Sequence, residues 1–224
     1  MAEAGAYAEA RTGNWLWAFL VGAILLAMEF ILFAALVPAS WSERVRETEL
    51  AWLKQGLGAR TANDVVERAE HWYGMLFVAT EVVETSYRIA LPSDLDVQRA
   101  RALSPLATLP LWSWVADRLE VIWAALYQAL QRLAMIAAWW PFLLLLLAAA
   151  WGDGWVRRRI RQSGFAYASP LAHAYALRGI AVLVMLVALL LFLPLPLPAL
   201  GVPVIGVLMA TLLSVLVANA QKRL

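Results

Sequence analysis

The side chains that could do chemistry in this chain are scattered carboxylates, two histidines and one run of arginines. Glu67, Glu70 and His71 crowd one helix-spaced stretch, a carboxylate–imidazole grouping of the kind that holds metal ions. A zinc-binding helix needs a second imidazole at fixed spacing, and the other histidine, His173, lies beyond an apolar run, so a solvated acidic face is expected instead. Glu81 and Glu84, three apart, would share one helix face as paired carboxylates do, yet no further ligand stands near them. Glu29 sits alone inside an apolar run, where an ionisable group is costly and faces a bundle interior or a cavity. A proton relay there would need successive ionisable groups, and the other runs offer none at matching depth unless Arg132 dips inward. No P-loop, no Gly-rich dinucleotide turn and no Gly-x-Ser-x-Gly elbow occurs. No catalytic residue, no metal and no cofactor is therefore expected.

Composition explains why chemistry is sparse. Of 224 residues, 63% are apolar and 15% charged. An ordinary soluble domain has about 45–50% apolar and about 25% charged residues. The mean hydropathy of +0.69 agrees. These values exclude a soluble globular domain, a disordered tail and a nucleic-acid-binding module, and they leave room for one integral-membrane unit. The absence of cysteine removes disulfides, thiolate metal sites and cysteine nucleophiles.

A hydrocarbon core about 30 Å thick needs about 20 apolar helical residues. Residues 15–37 supply one such run, read as an anchor rather than a cleaved signal because it far exceeds a signal's apolar core. Residues 119–151 read as one long helix, amphipathic at first, kinked at Pro141 and crossing over roughly 133–151. Residues 179–218 read as a hairpin of two spans around Pro194, Pro196 and Pro198. On its second arm Gly206, Ala210 and Ser214 recur every four positions, a small-residue face for close packing against the preceding span or for a homo-oligomer. The expected fold is an all-α integral membrane protein with four transmembrane helices and an amphipathic helical layer between spans one and two.

That layer falls in residues 38–118. Ser42 caps a helix to Leu57 with Leu50, Leu53 and Leu57 on one stripe beside Val45 and Trp52, and Gly56 and Gly58 end it. Thr61 to Asp64 opens a second helix running past Tyr87 until Pro92, and a short third helix follows Ser93. The stripe needs cover from the long second helix, from lipid or from a partner.

Charge sets the orientation. Residues 38–118 hold nine Lys/Arg against eleven Asp/Glu, whereas residues 152–178 hold five arginines against Asp153. Under the positive-inside rule residues 152–178 form a cytoplasmic loop, residues 38–118 lie outside, and both termini, residues 1–14 and 219–224, are cytoplasmic.

The basic loop carries the one dense motif. Arg157, Arg158, Arg159 and Arg161 lead into Ser163, Gly164, Phe165 and Tyr167, a set suited to lipid headgroups or to docking a partner with the two aromatics as anchors. Four arginines in a turn-rich segment offer no groove-fitting element, so direct nucleic-acid binding is not expected. This stretch, after an apolar span and before a terminal hairpin, resembles the integrating conjugative element membrane protein family, although Ala168-Ser169-Pro170 follow the tyrosine and the later basic positions shrink to His173 and Arg178. The resemblance implies a bacterial inner-membrane accessory of a conjugative, type IV secretion-like DNA-transfer apparatus. Its implied partners are membrane lipid and other proteins of that complex, a coupling ATPase among them, and it implies neither catalysis nor a cofactor. The alternative from the residues is a small transporter or channel component using Glu29 as its protonatable group.

Overall fold

The computed structural model describes residues 2–92, 111–164 and 169–220, and the described residues are helical without a strand. The elements are α1 (Ala2–Leu36), α2 (Ala39–Tyr73), a π-helical turn (Gly74–Val78), α3 (Val82–Ala90), α4 (Leu111–Ala138), α5 (Trp140–Ser163), α6 (Pro170–Phe192) and α7 (Gly201–Ala218). The short helix expected after Ser93 lies outside the described residues. By length and composition four helices can cross a membrane: Phe19–Leu36 of α1, α4, α6 and α7.

Breakers cut the chain where backbone chemistry demands it, with four departures from expectation. Pro38, extended at φ −71° and ψ 148°, lets α2 begin at Ala39, so Ser42 is buried within the first turn and does not cap. Gly58 alone is the corner: its φ of +85° is open to glycine without the Cβ penalty, and it divides α2 into two arms. The expected continuous helix from residue 61 past Tyr87 is interrupted by the π-helical turn and by Glu81, left-handed at φ 56°. The long second helix starts at Leu111 and breaks at Trp139 (φ −86°, ψ 1°), because Pro141 has no N–H for the ladder and its ring crowds the preceding turn. The apolar run expected over 133–151 is thereby shared between α4 and α5.

The two arms of α2 and α4 form a three-helix layer. On the first arm Arg46 stacks on Tyr127 and Glu49 pairs with Arg132, so this arm runs in the direction of α4. The second arm returns, bringing Tyr73 against Trp123 and Tyr127. Leu53, Ala62, Val65, Ala69 and Ala134 make the core between them, and the alanines let the three backbones approach. Trp52, expected beside the stripe, is exposed instead. Burial pushes the Tyr73 and Tyr87 phenols above their ordinary range, so both rings remain neutral.

The remaining helices form a bundle with α7 at its centre. α5 lies parallel to α7, with Gly206 against Leu143 at one end and Gly154 against Ser214 and Val217 at the other. α6 runs antiparallel to α7, with Gly179 against Leu212 and the His173 ring beside the Leu216 carbonyl. α1 flanks α6, with Phe30 edge-on to Phe192 at 5.7 Å.

α4 lies across one end of this bundle. Arg118 donates to the carbonyls of Ala34, Ala35 and Val37 that end α1, and Arg132 to those that end α6. Fourteen residues separate the two arginines, close to four full turns, so they share a face and sit about 21 Å apart along the axis.

The tightest helix contact yields a stability prediction. A Cβ on Gly154 would stand 2.8 Å from the Ser214 carbonyl oxygen, a backbone atom that cannot swing aside, whereas a Cβ on Gly152 meets nothing. Gly154→Val should lower stability by about 1–3 kcal/mol through overpacking. Gly152→Ala should leave it unchanged or raise it by up to about 1 kcal/mol. Thermal unfolding of the purified protein in detergent separates the two.

Candidate functional site

The most heavily bonded side chain among the described residues is Arg132, 2% exposed. Its Nε donates to Glu49 Oε1 at 3.0 Å and its Nη2 to the same oxygen at 2.6 Å. Nη2 also reaches the Leu195 carbonyl at 2.7 Å, while Nη1 donates to the carbonyls of Leu190, Leu191 and Leu193 at 2.6, 3.1 and 2.9 Å. Glu49, 7% exposed, additionally accepts the Leu197 N–H at 2.9 Å. Helix ends leave carbonyls without internal partners, and their dipoles favour a cation. One guanidinium therefore caps α6, holds the proline hairpin and neutralises the only buried acid of the first α2 arm. Trp41 Nε1 adds a bond to the Pro194 carbonyl at 2.8 Å.

At the opposite end of the bundle the basic segment is helical. Asp153 to Ser163 continue α5 instead of forming a loop, because nothing there breaks the ladder and Gly154 is held against α7. Asp153 accepts the Ser214 hydroxyl at 2.6 Å and Arg157 Nε at 3.0 Å. Arg161 Nη1 donates to Asn219 Oδ1 at 2.6 Å, and the same oxygen accepts the Ser169 N–H. Asn219 thus ties the ends of α5 and α7 to the start of α6, where Ser169 caps through Ala172 N–H at 3.2 Å. Arg159 lies over the Trp155 ring, and Arg158 has no hydrogen bond or ion pair among the described residues. Phe165 and Tyr167 lie outside the described residues.

Gly206, Ala210 and Ser214 are all buried, and the helix packed on that face is α5 rather than the preceding span α6. Glu29 is half-buried, and its Oε2 has no hydrogen-bond partner among the described residues. The other candidates do not converge. Glu67, Glu70 and His71 are exposed, and Glu81, in the left-handed turn before α3, does not share a helical face with Glu84. No group of three or more His, Asp or Glu among the described residues could hold a metal. Glu49 and Asn219 escaped the sequence reading. The signal for Glu49 was its position in register with Val45 and Leu53, an acid on an apolar stripe.

Breaking a buried ion pair from one side leaves a stranded charge. Arg132→Gln should therefore cost about 3–5 kcal/mol. Arg132→Lys should restore little, since an ammonium cannot reach one carboxylate and four carbonyls from a planar fork. Glu49→Gln, which keeps an acceptor for Leu197, should cost less than Arg132→Gln. Unfolding in detergent, with proteolysis of the 193–200 hairpin as a second readout, tests this order.

The model of the family described as IncC plasmid conjugative DNA transfer protein DtrJ-like matches residues 33–224. No curated protein and no solved structure matches the chain. The matched stretch contains the Glu49–Arg132 pair, both arginine caps on α4 and the basic end of α5. The conjugation class implied by the arginine motif stands, under a family other than the integrating conjugative element one. The chain belongs to the DtrJ-like family of IncC plasmid conjugative DNA transfer proteins, and that membership gives it a role in conjugative DNA transfer.

Proposed function

We propose that this chain is a non-enzymatic inner-membrane docking subunit of the conjugative apparatus, holding a coupling ATPase through the basic end of α5. The observation that carries this reading is the division of labour among the arginines. Arg157 and Arg161 are fastened to Asp153 and Asn219 and stiffen the helix end, while Arg158 and the exposed Arg159 are left to meet an acidic surface. Phe165 and Tyr167 follow in sequence as apolar anchors beside that charge. Lipid headgroups would also attract these arginines, at about 1 kcal/mol each, which fixes depth but selects no partner.

In this reading α1, α5, α6 and α7 cross the membrane, with both termini cytoplasmic. α5 is less apolar than α4, but it lies beside α7 along its whole length, so the two cross together. α4 rests on the outer face with α2 and α3, which the bonds of its two arginines to the ends of α1 and α6 support. The five arginines of residues 152–178 then lie inside, as the charge rule requires.

The double variant Arg158→Glu/Arg159→Glu spares both clamps. It should abolish recovery of the coupling ATPase in a mild-detergent pull-down from donor cells, and lower transfer, with protein amount unchanged. Wild-type transfer by that variant would end the docking reading. Glu29→Gln should leave transfer intact, and loss of transfer at normal abundance would favour the transporter alternative. Because the chain has no cysteine, single cysteines report cleanly on sidedness. A membrane-impermeant maleimide should label Lys54→Cys of α2 and Glu120→Cys of α4 from the periplasm, and should reach Arg158→Cys only after lysis.

A further inference from the structure

The face that α4 turns to the bundle is a single stripe along the helix. On it Arg118 caps α1, Val121 and Ala125 pack with Phe33 of α1, and Arg132 caps α6. The same stripe continues to Trp114 and Leu111, four and seven residues before Arg118. Burial stops there: Val121 and Ala125 are fully covered, whereas Trp114 is 54% and Leu111 51% exposed.

The stripe opens because the bundle has ended. From Arg132 to Arg118 the axis of α4 passes from the end of α6 to the end of α1, and α1 is an edge helix packed against α6 and α4. At 1.5 Å per residue Trp114 lies about 6 Å and Leu111 about 10 Å beyond Arg118, and a helix with its side chains has a radius of about 5–6 Å. The first turn of α4 therefore overhangs the rim of α1. The neighbouring elements lie elsewhere. α3 is on another side of α4, where Ser86 accepts the Trp123 Nε1–H at 3.1 Å, and α2 leaves α1 toward the hairpin, where Trp41 reaches Pro194.

What stands under the overhang follows from the side of α1. Ile31, Leu32 and Leu36 are exposed, so bare apolar surface climbs α1 to its last turn, beside the carbonyls that Arg118 holds. Where α1 crosses a bilayer, hydrocarbon covers that surface, and the boundary between acyl chains and headgroups meets the underside of α4. An indole, with an apolar body and one N–H donor, is suited to that boundary. We propose that the first turn of α4 is a membrane-surface foot, with Trp114 and Leu111 inserted among the lipids of the outer leaflet. The proposal rests on the reading above, in which α1 crosses and α4 lies on the outer face.

The test uses the full chain in phospholipid nanodiscs, with a nitroxide on Leu111→Cys or on Glu120→Cys, which is exposed on the opposite face of α4. Collision rates are measured with oxygen, which concentrates in hydrocarbon, and with a water-soluble nickel chelate. The oxygen-to-nickel ratio at position 111 should be several-fold above that at position 120. Adding Trp114→Glu to the Leu111→Cys chain should bring the ratio down to the value at position 120, because a carboxylate is expelled from the boundary. A nitroxide at position 111 as open to nickel as the one at position 120, or shielded from both reagents by protein, overturns the proposal whatever Trp114→Glu does. So does a ratio that Trp114→Glu leaves unchanged. A high ratio at both positions means instead that α4 crosses the bilayer, and the outer-face reading then fails together with the proposal.

Discussion

A guanidinium buried among carbonyls holds this molecule together. Arg132 is costly to desolvate, and it is tolerated because its planar fork meets one carboxylate and four backbone oxygens at once. Those oxygens belong to the end of α6 and to the hairpin, whose three prolines cannot donate to any ladder. Without the guanidinium the carbonyls ending α6 would face apolar surroundings unpaired, a penalty the backbone cannot relieve by itself. Arg118 repeats the device at the end of α1. The layer of α2 and α4 is therefore joined to the bundle by polar bonds at two points and by apolar packing between them.

The bundle itself depends on small residues. Gly154, Gly206, Ala210 and Ser214 allow α5 and α7 to approach closely enough for an aspartate and a serine to bond across the contact. α5 starts at the break beside the α2–α4 layer and ends in the arginine cluster, so a single helix links the two ends of the bundle. That continuity is what the docking reading uses: a partner gripping the arginines pulls on a helix seated against α7 and fastened by Asn219 at its end.

Much of this architecture could be read before any coordinates. Apolar periodicity located the long helices, and Pro92, Pro141 and the 194–198 prolines marked their ends because a missing donor acts locally. What escaped was non-local or compensated. Glu49 and Arg132 are 83 residues apart, and no window of sequence joins them. The arginine stretch looked like a loop because its charge lies between two apolar runs, yet Gly154 is held against α7 there and the helix runs on to Ser163. Glu81 adopts a left-handed conformation with no glycine to announce it. The short arginine-to-tyrosine motif led to conjugation but not to the matching family, whose signal is spread over residues 33–224.

The partners of Arg132 also impose an order on biosynthesis. Glu49 leaves the ribosome before the arginine, whereas Leu190 to Leu197 leave it about sixty residues later. Until α6 and the hairpin are made, the guanidinium has one acid to satisfy it and no carbonyl cage. Docking of α4 on the hairpin therefore follows the synthesis of α6. A chain truncated before the hairpin would leave that guanidinium with a single carboxylate for a partner.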